Sequence, residues 1–193
     1  EEAKEKYSAL GVDVDEALKT LSKVKVSVNC WQGDDIQGFM FPDQELTGGI
    51  SVSGNYPGKA KNIKQLREDL DKAFSLIPGK HKLSLHSTYV DTTEDIDLDE
   101  IEPKHFKTWI DWAKEREMGL DFNPTLFSHP MSESGFTLAS ADDEIRGFWI
   151  EHVRRSRKVS ESFGKELGQV SINNIWLPDG YKDNPIDKIG PRK

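Results

Sequence analysis

The chain has 193 residues, of which 26 are Lys or Arg and 34 are Asp or Glu, so its formal net charge is −8. This length allows one or two domains with a sizeable core, and the acidic balance disfavours a surface that binds nucleic acid. No apolar run approaches the roughly 18 residues that a membrane-spanning helix needs. The single cysteine, Cys30, excludes an internal disulfide and a thiolate zinc site, and it fits a reducing, cytoplasmic location.

The first part of the chain predicts two short helices, a strand, a long loop and a third helix. Apolar residues at helical spacing indicate helices over residues 2–10 and 14–22. Valine alternates with polar residues over 24–31, which is the pattern of a strand. Residues 32–58 are rich in Gly and Asp and predict a long loop, which we expect to cover the mouth of a binding site. The next helix covers 62–77 and is ended by a Pro-Gly pair.

The rest of the chain alternates strands with helices. Strand patterns cover residues 82–89, 120–124 and 170–176. One helix begins at Pro103 and ends before Gly119, and the longest helix covers 142–167. Acidic residues at its start and basic residues in its later turns suit the helix dipole.

Four strand–loop–helix units in succession predict parallel strands joined by helical crossovers. A doubly wound open sheet and a (β/α)8 TIM barrel both have this order. The open sheet normally carries a Gly-rich phosphate turn after its first strand, and the chain has no such motif there. The barrel is therefore favoured. Because a complete barrel takes about 250 residues, we expect residues 1–193 to form the N-terminal half of a single barrel domain, with short helices in residues 1–22 and about the first four βα units.

Half a barrel would leave the inward faces of its strands uncovered. We expect this for seven apolar residues of the predicted strands, namely Val26, Val28, Leu83, Leu85, Leu120, Phe122 and Ile172. Uncovered apolar faces and free strand edges drive association.

The carboxyl ends of the predicted strands carry hydrogen-bonding side chains beside aromatic rings. These strand ends read NCWQ at 29–32, HSTY at 86–89, DFN at 121–123 and NNIW at 173–176. In a barrel all of these ends face one mouth, where amides and hydroxyls bind sugar hydroxyls and rings stack on C–H faces. Taken singly, Trp31 and Trp176 are more often core residues than ligand contacts, but the convergence of four such strand ends favours a sugar site.

Motifs for metal binding and nucleophilic catalysis are weak or missing. The five histidines never fall at H-x-x-x-H spacing, and no serine lies in G-x-S-x-G. The pair Asp34-Asp35 suits either a metal site or a simple turn and helix cap. The residues alone therefore give no local metal motif and leave the role of Asp34-Asp35 open.

Six strings of the sequence resemble bacterial L-rhamnose isomerases. They are CWQGDD at 30–35, LTGGI at 46–50, GNYPGKA at 54–60, GLDFNP at 119–124, FSHP at 127–130 and NIWLPDG at 174–180. The resemblance keeps its spacing along the whole chain. It implies a (β/α)8 barrel of the xylose-isomerase type, a homotetramer, and a complete chain about twice this length.

The same resemblance implies a reaction and a set of site residues. The family interconverts L-rhamnose and L-rhamnulose with a divalent metal, typically Mn²⁺, whose ligands would lie beyond Lys193. His86 would be the catalytic residue, close to the sugar ring oxygen and suited to assisting ring opening. The expected substrate-binding residues are His86 and four aromatic residues, Trp31, Tyr89, Phe127 and Trp176. Tyr89 stands where some relatives have Trp.

Two other functions remain open on the sequence. A half barrel could keep the sugar-binding wall and, without metal ligands, be unable to catalyse the reaction alone. A metal-dependent endonuclease-type barrel would share the architecture, but the net charge of −8 counts against it. The expected partner is a small sugar, with neither nucleic acid nor membrane.

Overall fold

The computed structural model describes residues 1–29, 38–40 and 58–180. Its helices are α1 Glu2–Ala9, α2 Val14–Leu21, α3 Ile63–Leu76, α4 Lys107–Glu115 and α5 Asp143–Leu167. Its strands are β1 Val26–Asn29, β2 His81–His86 and β3 Gly119–Asn123. Short 3₁₀ turns occupy Ser87–Tyr89, Leu98–Glu100, Pro103–Phe106 and Pro130–Ser132. The five predicted helices and the first three predicted strands are confirmed, with ends that shift by a few residues.

Local sequence signals set the ends of the two long helices. The Asn62 side chain accepts the Gln65 N–H at 3.0 Å and so caps α3. The carboxylate of Asp142 accepts the Glu144 N–H at 2.8 Å at the start of α5. This helix ends at Gly168, whose φ of +61° is a left-handed conformation that glycine adopts at little cost.

The described strands form one parallel sheet in the order β1-β2-β3. Val28 pairs with Leu83, and Leu83 pairs with Leu120. Parallel strands joined by helices confirm the α/β class. A closed barrel is not shown, so the (β/α)8 architecture stays an expectation.

The helices cover one face of this sheet. Four apolar strand residues are at most 1% exposed, namely Leu83, Leu85, Leu120 and Phe122. The Phe122 ring packs edge-on against Phe106 at 5.1 Å and Phe163 at 5.6 Å between ring centroids. The prediction that these four residues are uncovered is therefore wrong, because their faces point to the helices. Of the seven apolar strand residues predicted to be uncovered, Val26 and Ile172 are largely exposed, at 55% and 57%.

The opposite face of the sheet is polar. Five residues of β2 and β3 alternate with the apolar ones and are at most 8% exposed, namely Lys82, Ser84, His86, Asp121 and Asn123. Buried polar groups need partners. The Lys82 ammonium forms an ion pair with the Asp121 carboxylate and also donates to the Val170 carbonyl at 2.7 Å.

The prediction of a fourth strand over residues 170–176 is wrong. The segment makes only an isolated parallel bridge, between Asn173 and Phe122. The Phe122 N–H donates to the Ile172 carbonyl at 2.8 Å, but the Ile172 N–H donates to the Asp121 carboxylate. In a regular strand the Ile172 N–H would donate to a backbone carbonyl of the neighbouring strand, and here the Asp121 side chain accepts it instead. The segment lies beside β3 without continuing the sheet.

The two N-terminal helices bury no residue of their own. Leu18 and Leu21 of α2 are 58% and 60% exposed. Among residues 1–29, 38–40 and 58–180, no helix has the length and apolar character required to cross a membrane.

Several sequence predictions concern residues outside the described part of the chain. These are Cys30, Trp31, the Asp34-Asp35 pair and most of the loop at 32–58.

Candidate active site at the carboxyl ends of β2 and β3

His86 is the last residue of β2, and its ring is fully buried. Its Nδ1 atom lies 2.8 Å from the Thr125 hydroxyl oxygen, just past the end of β3. Burial lowers the pKa of His86 to about 3. The imidazole is therefore neutral at physiological pH.

Thr125 fixes which nitrogen of His86 carries the proton. Its hydroxyl donates to the Asn123 carbonyl at 3.2 Å, so its oxygen is left to accept from the Nδ1–H of His86. We assign the Nδ1–H tautomer from this network. The Nε2 atom then carries a lone pair and is the proton-accepting atom of the ring.

The backbone at Thr125 is itself unusual. Its φ of 58° lies in the left-handed region, which non-glycine residues adopt at a cost of about 1–2 kcal/mol. The Asn123 side chain holds this turn by accepting the Thr125 N–H at 2.9 Å. The turn after β3 thus places the hydroxyl within hydrogen-bond distance of the His86 Nδ1 atom.

Tyr89 contacts His86 from the 3₁₀ turn that follows β2. The two rings meet edge-on with centroids 5.8 Å apart, and Tyr89 also packs near Trp109 at 6.5 Å. The Tyr89 carbonyl accepts the Trp109 indole N–H at 2.8 Å, and the Tyr89 side chain is fully buried. In this structure Tyr89 is a core residue that supports His86, and its role in binding substrate stays a prediction.

Phe127 and Trp176 form a second aromatic contact. Their rings meet at 5.6 Å and an interplanar angle of 75°. Phe127 is fully buried, whereas Trp176 is 40% exposed and offers indole surface to solvent. The structure therefore brings the predicted residues together as two pairs, His86 with Tyr89 and Phe127 with Trp176. Trp31 lies outside the described residues.

His152 of α5 is a site residue that the sequence did not reveal. Its Nδ1 lies 2.7 Å from the Leu98 carbonyl and its Nε2 lies 2.5 Å from the Pro124 carbonyl. Burial lowers the pKa of His152, opposed by these two carbonyl contacts. Ser87 donates to the same Pro124 oxygen at 2.5 Å. These contacts hold the turn that carries Thr125.

A second histidine lies near His152 and binds a carboxylate. The Nε2 of His129 donates to Asp97 at 2.9 Å, and its Nδ1 accepts the Met131 N–H at 3.1 Å. Burial raises the pKa of Asp97, but the hydrogen bonds from His129 and from the Leu98 N–H outweigh it and lower the pKa overall. The pair joins the loop after β2 to the loop after β3.

The metal that the resemblance implies has no fitting residues in the described ranges. Within residues 1–29, 38–40 and 58–180, no three His, Cys, Asp or Glu side chains come together in a way that could hold an ion. The buried carboxylate of Asp121 is already taken by Lys82 and by the Ile172 N–H.

Comparisons with known proteins give one family. The family model described as L-rhamnose isomerase (RhaA) matches residues 1–193. L-rhamnose isomerases from Listeria monocytogenes serotype 4a (strain HCC23), Lactiplantibacillus plantarum and Citrobacter koseri are 67%, 57% and 53% identical over 191 residues. Each alignment covers 99% of this chain and 45–46% of the relative, so the chain spans about half the length of the curated relatives it matches. The chain therefore belongs to the L-rhamnose isomerase family.

Proposed function

We propose that this chain is the N-terminal half of an L-rhamnose isomerase and supplies the sugar-facing wall of its active site. The observation that carries this proposal is the 67% identity, over 99% of the chain, with a protein named L-rhamnose isomerase. The names of the relatives favour an isomerase over both a non-catalytic sugar-binding module and an endonuclease-type barrel. Residues 1–193 would then be the first half of one (β/α)8 domain in a cytoplasmic homotetramer.

His86 would act on the closed sugar ring before isomerisation. Ring opening moves a proton from the anomeric hydroxyl to the ring oxygen, and a neutral imidazole with a lone pair on Nε2 can take that proton and return it. Burial lowers the pKa of His86 to about 3, so the ring is neutral and carries its Nε2 lone pair at neutral pH.

Thr125 would keep His86 in the productive tautomer. Its oxygen accepts from Nδ1–H, which keeps the Nε2 lone pair directed away from the turn. A histidine is set in one tautomer by the hydrogen bond that its other nitrogen makes. The pair therefore resembles the base-and-orienting-group arrangement found in many catalytic sites.

Trp176 would supply apolar contact to the sugar. Trp176 is 40% exposed, and its ring meets the buried Phe127 ring with centroids 5.6 Å apart and an interplanar angle of 75°. Sugar C–H faces pack well on such rings. Phe127 is buried under the indole, so in this arrangement it would act on the sugar through Trp176, and direct contact from Phe127, Tyr89 and Trp31 stays a prediction.

A divalent metal, expected to be Mn²⁺, would complete the enzyme. When bound, such an ion polarises the oxygens on C1 and C2 of the open-chain sugar. We propose, as the resemblance implies, that its ligands lie beyond Lys193.

The test uses the complete polypeptide that carries this chain, assayed for conversion of L-rhamnose to L-rhamnulose. His86→Asn keeps a hydrogen-bonding group but removes the titrating ring, and it should lower kcat by about 10²-fold. His81→Asn, at the other end of the same strand, is the matched control and should leave kcat near wild type.

An acyclic sugar analogue separates ring opening from the later hydrogen shift. The loss caused by His86→Asn should shrink with this substrate, because no ring has to open. Equal loss on cyclic and acyclic substrates would remove the ring-opening role, and absence of isomerase activity in the complete wild-type protein would overturn the proposed function.

A further inference from the structure

Trp176 lies in a short segment between two fixed points. On one side the Asn174 N–H donates to the Phe122 carbonyl of β3 at 2.7 Å. On the other side, five residues later, Asp179 contacts the loop that precedes α5. The residues between are exposed: Ile175 is 44% and Leu177 is 47% accessible. The position of the indole therefore depends on how both ends of this segment are held.

The Asp179 carboxylate makes three hydrogen bonds to that loop. One oxygen accepts the Thr137 N–H at 2.7 Å and the Ala139 N–H at 2.8 Å. The other oxygen accepts the Thr137 hydroxyl at 2.5 Å. The Gly180 N–H adds a backbone bond to the Gly135 carbonyl at 3.3 Å. Bonds from neutral donors to a carboxylate are among the stronger hydrogen bonds in proteins.

The loop that Asp179 holds is in turn fixed to the helix layer. The Thr137 side chain is 1% exposed, and its carbonyl accepts the Ser140 N–H at 3.0 Å. The Ser140 carbonyl accepts the Arg146 guanidinium at 2.6 Å, and Arg146 belongs to α5. Asp179 therefore ties a largely exposed segment to the buried Thr137 and, through Ser140, to α5.

We propose that Asp179 is a positioning residue that holds the Trp176 indole over Phe127 as a preformed surface for the sugar. This inference rests on the proposed function, because it takes Trp176 as part of the sugar-facing wall. A side chain that binds well must be held before the ligand arrives, since ordering it on binding costs affinity. The three hydrogen bonds to the Asp179 carboxylate hold the end of the segment that makes no hydrogen bond to the sheet.

The proposal is tested by a double-mutant cycle in the complete polypeptide, with KM and kcat measured for L-rhamnose. Asp179→Ala should raise KM roughly three- to tenfold, the loss expected for one aromatic contact, with kcat little changed. Trp176→Ala should raise KM to a similar extent. In the Trp176→Ala background, Asp179→Ala should add almost nothing, because the residue through which it acts is gone.

Matched variants separate this role from a general loss of structure. Asp179→Asn keeps an oxygen for both N–H donors and should restore most of the wild-type KM. Asp13→Ala removes an exposed carboxylate that caps α2 by accepting the Glu16 N–H, and it should leave KM unchanged. If Asp179→Ala does not fold, Thr137→Val removes only the hydroxyl bond and should give a smaller rise in KM.

Hydrogen exchange gives a readout that does not depend on sugar. Asp179→Ala should speed exchange in residues 174–179 and at Thr137 and Ala139, with β2 and β3 unaffected. A KM that rises with Trp176→Ala but not with Asp179→Ala would overturn the positioning role and leave the proposed function intact. Additive effects of the two variants would also overturn it. A KM unchanged by Trp176→Ala would instead remove Trp176 from the proposed sugar-facing wall.

Discussion

Burial of His86 should make the stability of the protein depend on pH. In the unfolded chain the imidazole has its ordinary pKa of 6.5, and in the folded chain burial lowers it to about 3. Between these values the unfolded state binds a proton that the folded state does not, so the free energy of unfolding falls as pH falls. The contribution is complete above pH 6.5 and is lost progressively toward pH 3.

The size of the effect follows from the two pKa values. At pH 5 the ring is 1.5 pH units below its unfolded pKa of 6.5 and still above its folded pKa of about 3. At about 1.36 kcal/mol per unit, acidification from pH 7.5 to 5 should cost about 2 kcal/mol through this one residue. His152, whose pKa burial also lowers, adds in the same direction.

The measurement is urea unfolding of the complete protein at pH 7.5 and pH 5, at one fixed protein concentration. His86→Asn should reduce the loss of stability on acidification by about 2 kcal/mol. Thr125→Val is the matched control: it removes the hydroxyl partner but keeps the titrating ring, so it should keep the full pH dependence. Equal pH dependence in wild type and His86→Asn would refute the buried, neutral state of His86.

Two further substitutions test the polar face and the turn after β3. Lys82→Met should lower the free energy of unfolding by about 3–5 kcal/mol, because it leaves the Asp121 charge buried without its partner. Adding Asp121→Asn to this variant should recover much of the lost stability. A double variant no more stable than Lys82→Met alone would show that the ion pair is not the cause. Thr125→Gly and Thr125→Ala both remove the hydroxyl and should lower kcat equally. In thermal unfolding the Thr125→Gly variant should be more stable than Thr125→Ala by about 1 kcal/mol, because the backbone φ at this position is 58°. Equal stability of the two variants would contradict the strained turn.

Most of the regular structure was predictable because it depends on local signals. The helix over 142–167 is confirmed almost residue for residue, since Asp142 caps its start and Gly168 ends it with a left-handed conformation. The strands β1 to β3 followed from alternation of apolar and polar residues. Alternation does not tell which set faces the helices, and this is why the uncovered face was assigned to the wrong residues.

The fourth strand could not be predicted because its outcome depends on a distant side chain. Val170 and Ile172 alternate with polar residues as in the real strands, yet Ile172 gives its N–H to the Asp121 carboxylate. Nothing within residues 170–176 signals that Asp121, about fifty positions earlier, will take this bond. Tertiary context overrides strand propensity here.

The sequence predicted His86 and Trp176 as residues of the candidate site. It did not predict the residues that hold them in place. His152 occupies one position on the buried stripe of α5 between Trp149 and Ser156, where a single polar ring is easily taken for a core residue. Asp179, in a Pro-Asp-Gly sequence, has the pattern of an ordinary turn. The partners of both residues lie more than 25 positions away, so only the folded chain reveals them.

The turn at 123–127 connects the two halves of the candidate site. Thr125 binds His86, and Phe127, two residues later, lies under Trp176. Between them the Pro124 carbonyl accepts the Ser87 hydroxyl at 2.5 Å, and the His152 Nε2 atom lies 2.5 Å from the same oxygen. Loss of the Ser87 bond would leave a buried hydroxyl without its partner, at a cost of about 1–3 kcal/mol, which favours the turn in this position. The same turn therefore binds His86 through Thr125 and carries Phe127, the buried member of the aromatic pair.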